Sequence, residues 1–176
     1  MPQLKVDLRV KKTQKWIKES FRQLLKSKDI DAITIKEICD NCEIARRTFY
    51  AHYTDKYALL EEMIDNKFAD LNQICQEMTL KNLGEKTMAW LEYFKNDQAF
   101  FTMVLTSSAS YNFRVKLLHF TKQQLQLNLY WHGEHDVKLH FLAAGVTGII
   151  ENELLQNDHS TTETAQKLTE ILRNNV

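Results

Sequence analysis

The sequence contains very little proline or glycine. Pro2 is the single proline among 176 residues, and there are four glycines. Since proline and glycine are the residues that most often end or weaken a helix, little interrupts helix formation from Lys11 onward. Strand signals are nearly absent as well, because the long segments repeat apolar residues every three to four positions and none alternates with a period of two. We therefore predict an all-α protein.

Cysteines and long apolar runs are also scarce. The three cysteines, Cys39, Cys42 and Cys75, are odd in number, and the first residues, MPQLKVDLRVKK, lack the apolar core of an export signal. This usage predicts a reduced, cytoplasmic compartment. Cys39 and Cys42 form a CxxC pair, which we interpret as small core residues. The longest apolar stretch, residues 141–150, is far shorter than the roughly 20 residues of a membrane-spanning helix, so no membrane association is expected.

The chain carries no net charge, but its charges are unevenly distributed. It has 23 basic and 23 acidic side chains in total. Residues 1–60 contain 13 Lys or Arg against 8 Asp or Glu, a net charge of +5, so residues 61–176 carry −5. A basic N-terminal segment on an acidic body is expected if the first segment binds nucleic acid and the rest does not.

Arrangements typical of enzymes are missing. No Ser/His/Asp set, paired carboxylates or phosphate-binding loop stands out, so we predict neither an enzyme nor a cofactor. His132, His135 and His140, with Glu134 and Asp136 between them, leave a metal-dependent enzyme as an alternative. Their spacing matches no metal-binding motif, and a turn exposes such residues to solvent. We therefore predict no metal site.

The most informative segment is TIKEICDNCEIARRTFYAHYTDKYALL, residues 34–60. Thr34 and Glu37 have the spacing of a capping box, in which each side chain accepts a backbone N–H of the other residue. A helix is therefore predicted to begin at Thr34. Ile38 and Cys39 lie on its apolar face, whereas Lys36 lies on the opposite face.

A second short helix is predicted over residues 46–53, with Phe49 and Tyr53 facing inward. Guanidinium groups bind guanine and phosphate, and hydroxyl, phenol and imidazole groups also suit phosphates and base edges. The side chains left facing outward are of these kinds: Arg46, Arg47, Thr48, Tyr50 and His52. Taken singly, each would be an ordinary surface residue. Their joint spacing predicts a helix that enters the major groove of double-stranded DNA.

Residues 11–60 resemble the helix-turn-helix of the TetR family of bacterial transcriptional regulators. The residues that carry the resemblance are Thr48, Phe49, Tyr50, His52, Tyr53, Lys56, Ala58, Leu59 and Leu60. The resemblance implies that phosphates are held by Thr34, Tyr50, His52 and Lys56. It also implies that the residues nearest base edges are Lys36, Arg46, Arg47 and Thr48.

Two positions depart from the family pattern. Glu43 occupies the turn, where many members have glycine, and must either adopt a left-handed conformation at a cost of about 1 kcal/mol or use another turn. Ala45 stands where a serine often caps the recognition helix, and alanine cannot accept a backbone hydrogen bond. These departures leave open a second hypothesis, an adaptor of TetR type that acts mainly by binding another protein.

The resemblance further implies two domains, a DNA-binding head of residues 1–56 and a helical effector-binding and dimerisation domain of residues 57–176. The strings FFTMVLTS and FLAAGVTGIIE loosely resemble the short C-terminal domains of Firmicutes members. The expected function is that of a regulator, a repressor that binds a palindromic operator as a homodimer and is released by a small effector.

Two sets of residues in the second domain are candidates for these roles. The effector pocket is predicted at Trp90, Phe94, Phe101, Phe113 and His119. Large apolar residues at helical spacing are equally typical of an ordinary core, and His119 of a core or rim histidine. The dimer interface is predicted at Ala144, Gly145, Gly148 and Ile149. The alternative is that these small residues pack within one subunit.

Overall fold

The structure is a computed structural model, which describes residues 8–128, 137–156 and 160–175. Over these ranges it contains helices and no strand, which confirms the predicted all-α class. A short 3-10 helix, Ile30–Ala32, follows the first α-helix. The α-helices are α1 Leu8–Leu25, α2 Ile35–Asn41, α3 Arg46–Tyr50, α4 Lys56–Cys75, α5 Leu83–Asn96, α6 Gln98–Thr106, α7 Ser110–Asn128, α8 Val137–Leu155 and α9 Thr161–Asn175.

The chain divides into two compact units within α4. The first unit, called the head here, extends to Asp65, and the second, called the body, starts at Asn66. The sequence suggested a division between residues 56 and 57. Leu59, Leu60 and Ile64 on the first turns of α4 are buried, and the head extends nine residues further along this helix than that division assigns to it.

The head is built around a small apolar core. Ile17 and Phe21 of α1, Ile38 of α2 and Phe49 of α3 are all fully buried. The buried Ser20 hydroxyl donates a hydrogen bond of 2.8 Å to the carbonyl of Ile38. This core and this bond hold α2 and α3 in place, although both helices are too short to be stable alone.

The body has a core rich in aromatic rings, formed by α5, α6 and α7. α8 packs against α7, and α9 packs against α5. The C-terminal end of α8 is held by α6, because Gln98 Nε2 and Thr102 Oγ1 donate to the carbonyl oxygen of Leu154 at 2.9 and 3.0 Å. Among the helices described, none has the length and hydropathy needed to cross a lipid bilayer.

Candidate nucleic-acid interface

The start of α2 has the capping box that the sequence predicts. Thr34 N donates to Glu37 Oε2 at 2.8 Å, and Glu37 N donates to Thr34 Oγ1 at 3.2 Å. Ile38 and Cys39 are buried, whereas Lys36 is exposed. The predicted helix start and the predicted faces of α2 are therefore confirmed.

Glu37 also accepts a hydrogen bond from the ammonium group of Lys28, with which it forms an ion pair. The bonds from Lys28 and then from Thr34 favour the ionised carboxylate and lower the pKa of Glu37 to about 2. Lys28 lies just after α1, and Glu37 lies in the first turn of α2. Their contact therefore joins the two ends of the segment that connects these helices.

We expect this lowered pKa to make the stability of the head depend on pH. The pKa of Glu37 is lower in the folded state, so its contribution is present above an ordinary glutamate pKa of about 4.3 and is lost as the pH falls toward about 2. Glu37→Gln should therefore flatten the decrease in melting midpoint between pH 6 and pH 3. Lys28→Met, which removes the partner, should flatten it in the same way. An unchanged pH profile in both variants would show that the bonds to Glu37 contribute nothing.

The turn between α2 and α3 is a Schellman motif, which closes a helix with two backbone bonds. Ile44 N donates to the carbonyl of Cys39 at 3.0 Å, and Glu43 N donates to that of Asp40 at 3.4 Å. The motif requires a left-handed residue after the C-cap, and Glu43 occupies that position with φ of 54°. Of the two possibilities that the sequence left open, Glu43 takes the left-handed one.

Glu43→Gly is expected to stabilise the protein. Glycine adopts a positive φ without the Cβ clash, so we expect a gain of up to about 1 kcal/mol in the free energy of unfolding. Glu43→Ala is the matched control, since it removes the same carboxylate but keeps Cβ. Chemical denaturation should show a gain for the glycine variant and none for the alanine variant. Equal gains would attribute the effect to charge instead.

The recognition helix α3 is shorter than predicted. Its N-cap residue, Ala45, makes no side-chain cap bond, as its methyl group requires. The helix ends at Tyr50, and a turn follows in which His52 N and Tyr53 N both donate to the carbonyl of Phe49, at 2.9 and 3.0 Å. Phe49 and Tyr53 are buried, as predicted.

The outward-facing residues of this segment differ in exposure. Arg46, Arg47 and Tyr50 are exposed, with 56% of the Tyr50 surface accessible. Thr48 and His52 are half-buried. Among the described residues, neither arginine has a carboxylate partner in an ion pair, so both guanidinium groups are available to a ligand. The individual base and phosphate contacts of these residues stay predictions.

Lys56 has a role that the sequence did not indicate. Its ammonium group donates to the carbonyl oxygens of Asp31 and Ile33, at 2.9 and 2.8 Å. The neighbouring Tyr57 hydroxyl donates to Asp31 Oδ1 at 2.7 Å. These bonds fix the segment before α2 to the start of α4. Lysine has three donors, so one is left for the predicted phosphate contact.

Four of the five predicted pocket residues lie together in the body, but they form a packed core. The ring centroids of Phe94 and Phe101 are 4.7 Å apart, those of Phe101 and Phe113 6.0 Å, and those of Trp90 and Phe94 5.6 Å. His119 does not join them. It is exposed on α7, because it lies two positions from the buried Leu117, about 200° around the helix.

A cavity of about 40 Å³ lies beside this core. It is much smaller than the roughly 300–1,000 Å³ of typical ligand pockets, and Trp90 is the one member of the predicted set that lines it. Its lining residues are Cys75, Met78, Leu83, Lys86, Thr87, Trp90, Thr121, Gln124, Leu125, Val146, Leu168 and Leu172.

The residues predicted for the dimer interface lie on one side of α8. Ala144, Gly145 and Gly148 are exposed, and Ile149 is half-buried. A Cβ atom added at either glycine would meet nothing within 4 Å. The alternative that these residues pack closely within one subunit is therefore wrong for the glycines. Phe141, one turn before Gly145, is 73% exposed and extends the apolar face.

The metal-site alternative falls mostly on residues outside the described ranges. His132, Glu134, His135 and Asp136 lie outside the described residues, and His140 is exposed on α8. Over the described ranges, no group of three or more potential metal ligands occurs.

Comparisons with known proteins match these features. Residues 20–63 match the sequence model of the bacterial regulatory proteins of the tetR family. The chain is 38% identical over 50 residues to the HTH-type transcriptional regulator YxbF of Bacillus subtilis, covering 28% of this chain and 13% of that protein. It is 27% identical over 92 residues to DhaS, the HTH-type dhaKLM operon transcriptional activator of Lactococcus lactis, covering 52% and 48%. The chain thus spans less than half the length of these two relatives.

The fold is also found in solved structures. A TetR transcriptional regulator from Streptococcus agalactiae superimposes with a TM-score of 0.71 over 94% of this chain and 96% of that one, at 24% identity. The fold and the site define a helix-turn-helix protein with a helical body. Residues 20–63 thus carry the sequence features of the tetR family of bacterial regulatory proteins, and the chain has the fold of a TetR-type regulator. The relatives named above are transcriptional regulators, which agrees with the prediction that the chain is not an enzyme.

Proposed function

We propose that the protein is a DNA-binding transcriptional repressor that binds a palindromic operator as a homodimer. The observation that carries this proposal is the exposed pair Arg46 and Arg47 on α3, without ion-pair partners among the described residues. Buried Phe49 holds that helix against the head, so the two guanidinium groups are displayed on a fixed backbone. Arginine forms bidentate bonds with guanine O6 and N7 and with phosphates.

The apolar face of α8 supports the homodimer. Phe141, Gly145 and Gly148 follow one another at spacings of four and three residues and are exposed, and small residues allow two helices to approach closely. A two-fold dimer buries the same face of both copies. For the helix-turn-helix class, it would place two recognition helices about 34–36 Å apart, one turn of DNA, so that each reads one half of a palindrome.

The continuity of α4 supports release by an effector. This helix contributes its first turns to the head and its last turns to the body. An effector that binds more tightly to a conformation with displaced α4 would lower the affinity for the operator. The size of this decrease is limited by the difference between the effector's affinities for the two conformations. We propose repression as the result of DNA binding. The L. lactis relative is described as an activator, so the direction needs its own test.

Selection of genomic fragments by the purified protein at about 150 mM salt tests the proposal, since phosphate contacts alone weaken steeply with salt. We expect enrichment of fragments that share one palindrome. A reporter gene placed behind the enriched fragment should be expressed more strongly when the regulator is absent. Weaker expression would indicate an activator. Failure to enrich any sequence would favour the adaptor hypothesis.

A further inference from the structure

The small cavity in the body contains two buried polar groups without partners. Trp90 is 8% exposed and Thr121 is 2% exposed. Trp90 Nε1 and Thr121 Oγ1 have no hydrogen-bond partner, and both residues line the same cavity. A buried polar group without a partner costs about 1–3 kcal/mol. Two such groups on residues that line one cavity indicate that a polar group occupies it.

Two other buried threonines of this body, Thr147 and Thr169, form a hydroxyl bond that Thr121 lacks. Thr147 Oγ1 donates to the carbonyl of Ala143 at 2.8 Å, and Thr169 Oγ1 donates to that of Ala165 at 2.7 Å. Both use the carbonyl four residues earlier in their own helix. Thr121 is buried in α7 in the same way but does not form this bond, so its hydroxyl is available to the cavity.

The chemistry of the lining restricts the occupant. The indole N–H is a donor only, so the occupant must present an acceptor. Lys86 also lines the cavity and is half-buried, without an ion-pair partner among the described residues. Its charge acts at the cavity, because it partly opposes the burial that raises the pKa of the Cys75 thiol to about 11. The other walls are mostly apolar.

We propose that this cavity binds the carboxylate group of a small monocarboxylic acid, which accepts hydrogen bonds from Trp90 Nε1 and Thr121 Oγ1 and pairs with Lys86. This inference rests on the proposed function, since it names the class of the effector. A volume of about 40 Å³ holds one small polar group. A longer tail therefore requires the half-buried Met78 to move, and methionine side chains adapt readily.

The position of the cavity connects it to α4. Cys75 is the last residue of α4, Met78 follows it, and both line the cavity. A tail that displaces Met78 would act directly on the C-terminal end of the helix that contributes to both units. Because of this contact, the carboxylate would bind the conformation with displaced α4 more tightly than the other conformation, which is what a shift in their populations requires.

The test uses acetate, butyrate and hexanoate as probes of the full chain, with ethanol, butanol and hexanol as uncharged controls of equal chain length. Thermal melting and calorimetric titration should show that a carboxylate binds and that its alcohol does not. Trp90→Phe keeps the ring but removes the N–H, and Thr121→Val keeps the shape but removes the hydroxyl. Each should weaken binding about tenfold to hundredfold. Thr147→Val, a buried threonine outside the cavity, should leave binding unchanged.

Three results would overturn the proposal. The first is that no carboxylate binds. The second is that the Trp90→Phe and Thr121→Val proteins bind carboxylates as tightly as the unmodified protein does. The third is that alcohols bind as tightly as carboxylates. The first of these would leave an ordered water as the occupant. Melting without probe establishes that each variant is folded, and two independent variants guard against the failure of one. Operator selection without carboxylate is measured separately, so failure here is distinguishable from failure of the proposed function.

Discussion

Replacing Arg46 and Arg47 together by alanine is expected to weaken operator-specific binding by at least an order of magnitude. A bidentate arginine–base contact contributes about 1–3 kcal/mol of discrimination. Two such contacts amount to about 2–6 kcal/mol, which corresponds to a loss of roughly 30-fold to 10⁴-fold in specific affinity. Both side chains are exposed, so the fold of the head should be unaffected. Fluorescence anisotropy with the selected operator measures the loss.

Two controls distinguish specific contacts with bases from the general attraction of positive charge to DNA. Lys81→Ala/Lys122→Ala removes the same charge from the body and should leave operator affinity nearly unchanged. Arg46→Lys/Arg47→Lys keeps the charge but loses the planar fork of arginine. It should bind random DNA as the intact protein does, while losing preference for the operator. If the double alanine variant still selects the same palindrome, α3 does not read the operator and the proposed interface is wrong.

Gly148→Arg is expected to convert the proposed dimer into a monomer. A Cβ at this position meets nothing within 4 Å in one chain, so the single subunit should fold normally. In a two-fold interface, the added guanidinium is buried twice without a partner. An uncompensated buried charge costs about 3–5 kcal/mol, so the dissociation constant of the dimer should rise at least about 100-fold. Sedimentation analysis across a concentration series measures this constant.

Operator affinity should fall in the same variant, because a monomer contacts one half-site only. Gln73→Arg is the matched control, since it places the same side chain on an exposed site of α4 in the body. It should remain dimeric and bind DNA normally. If the Gly148→Arg protein stays dimeric, the face of α8 is not the interface.

Structural features that depend on residues close together in the chain were predicted correctly from the sequence. The capping box of Thr34 and Glu37 and the opposite faces of α2 depend on spacings of three and four residues. The left-handed Glu43 was one of two possibilities that the sequence left open. The inward pair of Phe49 and Tyr53 also follows from spacing, although α3 itself ends at Tyr50. These are local interactions, so their physics is contained in a few consecutive residues.

Features set by distant contacts were not predictable in this way. Lys56 is held by carbonyls about 25 residues earlier, a partner that no local pattern indicates. Aromatic residues have the same helical spacing in a sequence whether they line a pocket or form a core. Only the packing of the rings in the body shows that these residues form a core. The cavity at Trp90 and Thr121 lies where residues of five helices meet, and two of these helices, α5 and α7, each leave one polar group unpaired there. The sequence by itself thus determined the helical class, the TetR-type helix-turn-helix segment and the exposed arginines, because these depend on nearby residues. Tertiary packing decided which buried polar groups are left without a partner, because such partners have to come from other helices.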